Sequence, residues 1–138
     1  MTGERDLQTL LKSMKPDMHE GVFVFCAVPD GTQIPAGIKP CLIFREHEAT
    51  TIVIRREEAE RLGLSCQFAS RLITLSVHSA LDAVGFLAAI TTRLAEAGIS
   101  VNAVSAFYHD HLFVPADRGD EALALLQDMS MKKQAERK

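Results

Sequence analysis

Apolar and polar residues alternate with different periods along the first half of the chain, and each period predicts an element. The apolar positions within residues 7–14 repeat at helical spacing, which predicts a short helix that ends near Pro16. An almost unbroken apolar run over residues 22–28 predicts a strand that is covered on both faces. Residues 29–40 contain three prolines and two glycines, so we expect a loop there.

A hairpin and a short helix are predicted next. Residues 41–44 and 51–55 are rich in apolar and β-branched side chains and flank a polar stretch, which is typical of two strands joined by a turn. The following residues 56–62 predict a short helix that ends at Gly63.

The second half of the chain has a clearer periodicity. Strict alternation over residues 72–78 predicts a half-buried strand, and a helical apolar stripe follows over residues 83–97. Two further strands are predicted over residues 99–108 and 112–114. A second helix buries apolar positions between residues 122 and 129.

The predicted order over residues 72–130 is β-α-β-β-α, which is the ferredoxin-like pattern βαββαβ without its last strand. Two helices on one face of a sheet bury the apolar stripe of each helix and the apolar face of each strand. The absent strand would leave an unpaired sheet edge, which the first half of the chain can cover. A faint repeat is visible, because residues 51–62 and 111–125 both read as strand, polar break and helix. The loop 29–40 then stands in place of the repeat's first helix.

Composition and charge exclude several classes of protein. Hydrophobic residues make up 47% of the chain and charged residues 24%, which argues for a globular rather than a disordered protein. The net charge of −3 provides no broad basic field, so we expect no nucleic acid partner. No apolar run approaches the ~20 residues of a membrane-spanning helix, and the polar first residues lack a secretory signal. We therefore expect no membrane association.

The three cysteines, Cys26, Cys41 and Cys66, are an odd number without a Cys-x-x-Cys motif. This pattern predicts neither a disulfide framework nor a zinc site. Cys26 and Cys41 lie in apolar segments, and we expect them to be buried as small hydrophobic side chains. A reducing, cytoplasmic location is the simplest interpretation.

Residues 72–115 resemble a known family. A strand that ends near Ser79 leads into the turn Asp82-Ala-Val-Gly85, and the helix that follows ends in Ala-Gly-Ile before a second strand and a hairpin. This order resembles the ACT domain, a small regulatory module that binds ligands, with its Asp-x-x-Gly turn and Ala-Gly-Ile helix exit. Val84 stands where that family often has proline. The whole chain also resembles short bacterial proteins built from two tandem ACT-like units.

The resemblance implies an α+β fold, a ferredoxin-like (ACT-like) βαββα(β) sandwich in which two tandem ACT-like units include a degenerate first unit. The units are expected at residues 1–68, with an extra N-terminal helix, and at residues 69–132, followed by a charged tail over residues 133–138. The implied function is a regulatory or sensor module, not an enzyme, that binds an amino acid or analogue at an ACT–ACT interface. A homodimer is expected, with a separate enzyme as a further partner and with no cofactor.

The chemistry of a free amino acid predicts where the ligand binds. A helix that starts near Gly85 exposes unpaired N–H groups and a partial positive charge, which suit a carboxylate. Asp82 can accept hydrogen bonds from an ammonium group, and Asn102 can both donate and accept. We predict a ligand between the turn 79–86 and residues 101–105, with the other unit as its second wall. The candidate ligand-binding residues are Ser79, Asp82, Val84, Gly85, Phe86, Asn102 and Val104.

Each of these residues also has a purely structural interpretation. Asp82 can serve as an ordinary helix N-cap. Gly85 can exist for packing of the helix on the sheet, and Asn102 can pair with neighbouring backbone.

Two other functions compete with the sensor hypothesis. The second hypothesis is a structural or assembly module that joins chains through its sheet edges and binds no small molecule. The third is a metal-dependent hydrolase that uses His78, His109 and His111, because residues 109 and 111 would share one face of a strand. The sequence offers no third or fourth ligand at a recognisable spacing, and the histidines lie at a predicted hairpin tip. We therefore predict no metal site and no catalytic residues.

Overall fold

The computed structural model describes residues 3–135. The helices and strands have the following bounds: α1 (Leu7–Ser13), β1 (Pro16–Met18), β2 (Phe23–Pro29), β3 (Leu42–Arg45), β4 (Ala49–Arg55), α2 (Arg56–Leu62), β5 (Cys66–Leu75), α3 (Phe86–Glu96), β6 (Asn102–Ser105), β7 (Asp110–Pro115) and α4 (Gly119–Ala135). They form two compact units. The central unit consists of residues 20–70, and the terminal unit combines residues 3–19 with residues 71–135.

The central unit is a sheet with one helix. Its strand order is β3-β4-β2-β5, and each neighbouring pair is antiparallel. The helix α2 packs against β2 and β4 and ends at Gly63, whose φ of 68° is left-handed. The described residues 30–41 form no helix, so the loop stands where a βαββαβ unit has its first helix. The predicted strand, loop, hairpin and helix of this half are confirmed, but the expectation that the strand is covered on both faces was wrong, because Ala27 and Pro29 of β2 are exposed.

The cysteines of the central unit contradict the sequence analysis. Cys26 in β2 lies directly opposite Cys66 in β5, and the two form a disulfide with their Cα atoms 4.5 Å apart. The prediction that the cysteines form no disulfide was therefore wrong, because strand register brings together two residues that are 40 positions apart. The expected burial of Cys41 was also wrong, since Cys41 is an exposed free thiol.

The terminal unit completes its own sheet with a strand from the start of the chain. Its strand order is β1-β5-β7-β6, and β1 pairs antiparallel with β5, Pro16 opposite Leu75 and Met18 opposite Ile73. The strand β1 takes the place of the last strand of the ferredoxin-like pattern. The prediction that the first half of the chain supplies the absent strand is thus confirmed, although the three-residue strand itself was not predicted.

One hydrophobic core stabilises the terminal unit. Helices α1, α3 and α4 contact one another, and their apolar side chains share the core with residues of β5 and β7. Ser130 in α4 donates hydrogen bonds to the backbone oxygens of Lys12 and Met14, which fixes α4 against the end of α1. The fully buried side chains of this core include Leu10, Ile73, Leu75, Ile90, Leu94, Leu112, Val114 and Leu126.

Several boundaries differ from the predicted ones, and three of them matter most. The strand β5 begins at Cys66, earlier than expected. Its first part was not predicted because Phe68, with a φ of 59°, lies near a register shift that interrupts the alternation of buried and exposed residues. The strand β6 covers only residues 102–105. The helix α4 continues to Ala135, because lysine, glutamine and alanine favour helix and extend it through the first part of the predicted tail. Residues 136–138 of that tail lie outside the described residues.

The described part of the chain was also searched for membrane spans. Among residues 3–135, no helix combines the length and the apolar composition that a membrane crossing requires.

Candidate functional site

The start of the chain lies along the turn on which the ligand prediction depends. The Glu4 N–H donates to the His78 oxygen at 2.8 Å, and the Ala80 N–H donates to the Glu4 oxygen at 2.8 Å. Glu4 and Ser79 therefore form a parallel β-bridge. The backbone of the turn is held by the N-terminal segment as well as by its own bonds.

Asp82 pairs with an arginine of this segment. The Arg5 Nε donates to Asp82 Oδ1 at 2.9 Å, and the Arg5 Nη2 donates to Oδ2 at 3.2 Å. These hydrogen bonds hold the pKa of Asp82 below its ordinary value. Asp82 does not cap α3, since Gly85 occupies the N-cap position, and the capping interpretation was wrong. The Asp82 carboxylate is exposed, and both of its oxygens already accept hydrogen bonds from Arg5.

Gly85 gives α3 an open N-terminus. Its φ of 91° is left-handed, a conformation that glycine adopts without steric cost. As the N-cap residue it has no side chain to bond the first turn, and its oxygen accepts from the Ala89 N–H at 2.9 Å. The first N–H groups of a helix lack intrahelical partners and carry partial positive charge. This helix, which begins three residues later than the predicted bound of residue 83, can therefore receive an anionic group.

A small crevice lies beside this helix terminus. It has a volume of about 60 Å³, which corresponds to ~2 water molecules. Asp110, only 6% exposed, borders it and accepts hydrogen bonds from two serines. Ser105 Oγ donates to Oδ1 and Ser79 Oγ donates to Oδ2 at 3.2 Å. The crevice is lined by Ser79, Ala80, Leu81, Ala83, Phe86, Leu87, Ser105, Ala106 and Asp110.

The predicted ligand-binding residues do not all gather at this crevice. Ser79 and Phe86 line it, and Phe86 also packs into the core with 2% exposure. Val84 projects outward with 83% exposure. Asn102 and Val104 lie on β6 opposite Phe113 and His111, and neither lines the crevice.

Sequence reasoning missed Asp110 and Ser105. Both lie in the hairpin between β6 and β7, where their residue types are ordinary turn residues. The signal that could have found them is the pairing of positions 105 and 110 across the hairpin, next to the turn that contains Ser79. That signal can be recognised only when it is known which residues of β6 and β7 pair with each other.

Four large apolar side chains in residues 81–108 are exposed, and we call these four residues the rim. The rings of Phe107 and Tyr108 lie 4.9 Å apart, and that of His78 lies 5.4 Å from Tyr108. A shallow hollow of about 210 Å³ runs between the Arg5–Asp82 pair and Phe107. Exposed apolar side chains that lie together, as Leu81 and Phe107 do along this hollow, are typical of a binding surface. The rim consists of Leu81 (68% exposed), Val84 (83%), Phe107 (61%) and Tyr108 (59%).

The histidines form no metal centre. His109 Nδ1 is hydrogen-bonded to the Val77 oxygen at 3.2 Å, whereas His111 lies in β7 and is bonded to Thr74 Oγ1 at 2.9 Å. His78 instead stacks with Phe107. Within the described residues, no group of three histidine, cysteine, aspartate or glutamate side chains could hold a metal ion. Residues 3–135 therefore offer the hydrolase hypothesis no group of three metal-binding side chains.

The family follows from sequence comparison. Residues 2–71 match a family model of the ACT domain, and residues 67–128 match a second ACT domain model. The chain belongs to the ACT domain family. The Asp-x-x-Gly turn that suggested this family lies within the match over residues 67–128. The first half of the chain, which we expected to be a degenerate unit, is covered by the match over residues 2–71.

Solved structures share this ACT fold. A protein of unknown function from Vibrio cholerae, described as a possible transport protein, is 41% identical with a TM-score of 0.82, covering 90% of this chain and 95% of its own. A protein from Agobacterium tumefaciens is 20% identical with a TM-score of 0.72, covering 85% and 89%. The ligand-free regulatory subunit of aspartate kinase from Thermus thermophilus is 12% identical with a TM-score of 0.62, covering 85% and 99%. Comparison with curated proteins gave no match.

Proposed function

We propose that this ACT protein is a non-catalytic sensor that binds a small amino-acid-like ligand where α3 begins, at an interface between ACT units. The observation that carries the proposal is the crevice that Phe86 and Leu87, the first two residues of the uncapped helix α3, line together with Asp110 and its two serines. A helix N-terminus suits the carboxylate that all amino acids share.

The size of the crevice supports a site that is shared between two ACT units. A volume of about 60 Å³ accommodates the polar end of an amino acid but leaves its side chain outside. Leu81 of the exposed rim lines the crevice, and a second ACT unit placed on the rim would bury both the rim and the ligand side chain. A homodimer that forms through the rim is therefore part of the proposal.

The related structures favour a regulatory role without fixing the ligand. The Thermus thermophilus relative is a regulatory subunit of aspartate kinase, so this fold occurs as a separate regulatory chain. We extend that role to the present protein and expect a separate enzyme as its partner. The Vibrio cholerae relative is of unknown function and does not narrow the choice.

Isothermal titration and thermal shift against the twenty proteinogenic amino acids test the proposal. Binding of at least one amino acid is expected, and at 100 times its dissociation constant it should stabilise the fold by about 2.7 kcal/mol. Ala106→Phe should abolish binding, because Ala106 is exposed and lines the crevice. Ala103→Phe, on the exposed part of β6 in the same hairpin, is the matched control. A folded wild-type protein that binds none of the twenty would refute the sensor function.

One observation favours the structural alternative. β3 lies at the end of the strand order of the central unit, and its residues Ile43 and Phe44 are 50% and 63% exposed. Unpaired strand edges with apolar side chains associate readily. An assembly module would form a dimer that persists without any amino acid and that Phe44→Lys disrupts. Light scattering of the wild-type protein and of Phe44→Lys at decreasing concentrations distinguishes an assembly module from a sensor.

A further inference from the structure

Thr74 in β5 is hydrogen-bonded to two imidazoles that come from different segments of the terminal unit. Its Oγ1 lies 2.7 Å from Nε2 of His19, the residue after β1, and 2.9 Å from Nδ1 of His111 in β7. Thr74 is 7% exposed, and within residues 3–135 its side chain makes no other hydrogen bond. We call these three residues the histidine bridge.

The histidine bridge links the short strand β1 to the rest of its sheet. β1 has three residues and pairs with β5, and Pro16 has no N–H group to donate to that pairing. Two further backbone bonds lie at the ends of the segment. The His19 N–H donates to the Leu72 oxygen at 2.9 Å, and the Ser76 N–H donates to the Lys15 oxygen at 2.9 Å. The side-chain contacts of the bridge extend this attachment from β5 to β7.

The hydrogen bonds of the bridge accommodate one additional proton but not two. A hydroxyl has one hydrogen to donate and two lone pairs that accept, whereas a protonated imidazole only donates. While one imidazole is neutral, Thr74 accepts from one ring and donates to the other. When both rings are protonated, both donate to Oγ1, and the hydroxyl hydrogen has no acceptor. A buried donor without a partner is costly, so the second proton disfavours the closed arrangement.

Positive groups around the bridge increase the cost of the second proton. The ring centres of His109 and His111 lie 6.4 Å apart. Burial lowers the pKa of His111, and repulsion from His109 and His19 lowers it further. Arg71 in β5 brings a permanent positive charge to the same segment, because its Nη2 donates to the His19 oxygen at 3.0 Å.

Two carboxylates near the bridge carry the opposite charge. Asp110 precedes His111 in the chain and opposes the lowering of its pKa, but its effect is smaller than that of either neighbouring histidine. Asp17 lies opposite Thr74 in the β1–β5 pairing and is exposed, so water and salt screen its charge. The second proton therefore remains unfavourable while β1 is paired.

We propose that the histidine bridge is a proton-sensitive switch: it holds residues 15–19 on β5 while either imidazole is neutral, and protonation of both imidazoles releases this segment. The paired segment binds the second proton less readily than the released segment does, so release becomes more favourable as the pH falls. Release leaves the edge of β5 at residues 73–75 without its partner strand. The inference does not depend on the proposed ligand.

Amide hydrogen exchange at pH 7.5 and 5.5, corrected for intrinsic exchange rates, measures the release. The reporters are the N–H groups of His19 and Ser76, which bond across the β1–β5 pairing. The reference is the N–H of Ile90, which is fully buried in the middle of α3. Acidification should lower the protection of both reporters at least ~5-fold, and at pH 5.5 both should be less protected than Ile90.

The competing explanation is that the bridge only fixes the structure and does not respond to pH. His19→Gln distinguishes the two, because glutamine can bond Thr74 but cannot take up a proton. In this variant the acid-induced loss of protection at Ser76 should be at least ~2-fold smaller. The pKa of His111 should rise, because repulsion from His19 is removed. His47→Gln, at an exposed position between β3 and β4, is the matched control and should change neither quantity.

The outcomes separate a switch from a merely structural contact. The inference is overturned if the reporters keep their protection at pH 5.5. It is also overturned if they exchange no faster than Ile90 at that pH, because the segment would then open only with the whole unit. A folded His19→Gln protein, checked by circular dichroism, with an unchanged pH dependence at Ser76 would overturn it as well. The wild-type comparison needs no variant, so it remains decisive if His19→Gln does not fold.

Discussion

Cys26 of β2 and Cys66 of β5 lie opposite each other in the central unit and form a disulfide. The bond closes a loop across 40 sequence positions, and such a cross-link restricts the unfolded chain. It also removes the cysteine pattern as an argument for a reducing location.

Replacing both disulfide cysteines by alanine should destabilise the central unit by roughly 2–4 kcal/mol. Guanidinium denaturation of wild type and the double variant measures the difference. Cys41→Ala, which removes only the exposed free thiol, is the control and should change stability little. Thiol titration of unreduced native protein should give one reactive thiol per chain. Three reactive thiols would show that the disulfide does not form in solution.

The N-terminal helix should be part of the core of the terminal unit. Leu10 is fully buried, and Leu10→Ala should cost about 2–5 kcal/mol because it leaves a cavity among the side chains of α1, α3 and α4. Gln8→Ala, at an exposed position of the same helix, should change the free energy of unfolding little. Equal effects of the two substitutions in urea denaturation would contradict this packing.

The pKa of Asp82 should be lower than that of an ordinary aspartate. Two hydrogen bonds from Arg5 favour the charged carboxylate, and Arg5→Gln should return the pKa toward its ordinary value of 3.8. Carbon-detected NMR titration of both proteins measures the shift. Because the folded-state pKa is lowered, the stabilisation is complete above the ordinary value and is lost as the pH falls through the folded-state value. An unchanged titration in Arg5→Gln would rule out the ion pair.

His111 should make the protein less stable in mild acid. Burial is the main cause that lowers the pKa of His111 below 6.5, and repulsion from His109 and His19 adds to it, while Asp110 opposes it. The His111 imidazole therefore binds a proton more readily in the unfolded chain than in the folded protein. The contribution of neutral His111 to stability is complete above pH 6.5 and is lost as the pH falls through the folded-state pKa. His111→Gln should reduce this pH dependence in urea denaturation at pH 7.5 and 5.5, whereas exposed His47→Gln should not.

Local patterns in the sequence were sufficient to predict most elements. The end of α2 at Gly63 follows from a helical segment that meets a glycine, and the hairpin of β3 and β4 follows from two apolar segments around a polar one. The strand β1 was not predicted because three residues, including the polar Asp17, give no period. It becomes a strand only because β5 provides partners for its backbone.

The candidate site was predicted only in part, because its chemistry depends on register. The turn with Gly85 was found from its local motif and does begin a helix. The contact of Asp110 with Ser79 joins residues 31 positions apart, and no local pattern announces it. Asp82 was given a ligand role because its partner, Arg5, lies 77 positions away and cannot be recognised from the neighbouring sequence.

Because β1 closes the sheet of the terminal unit, the order in which the ribosome delivers the chain matters for folding. Residues 3–19 emerge first, yet their partners in β5, α3 and α4 emerge only after the whole central unit. The central unit, contiguous at residues 20–70, has all of its partners early and can form during synthesis. The apolar face of α1 therefore has no complete core to pack into until α4 has been made.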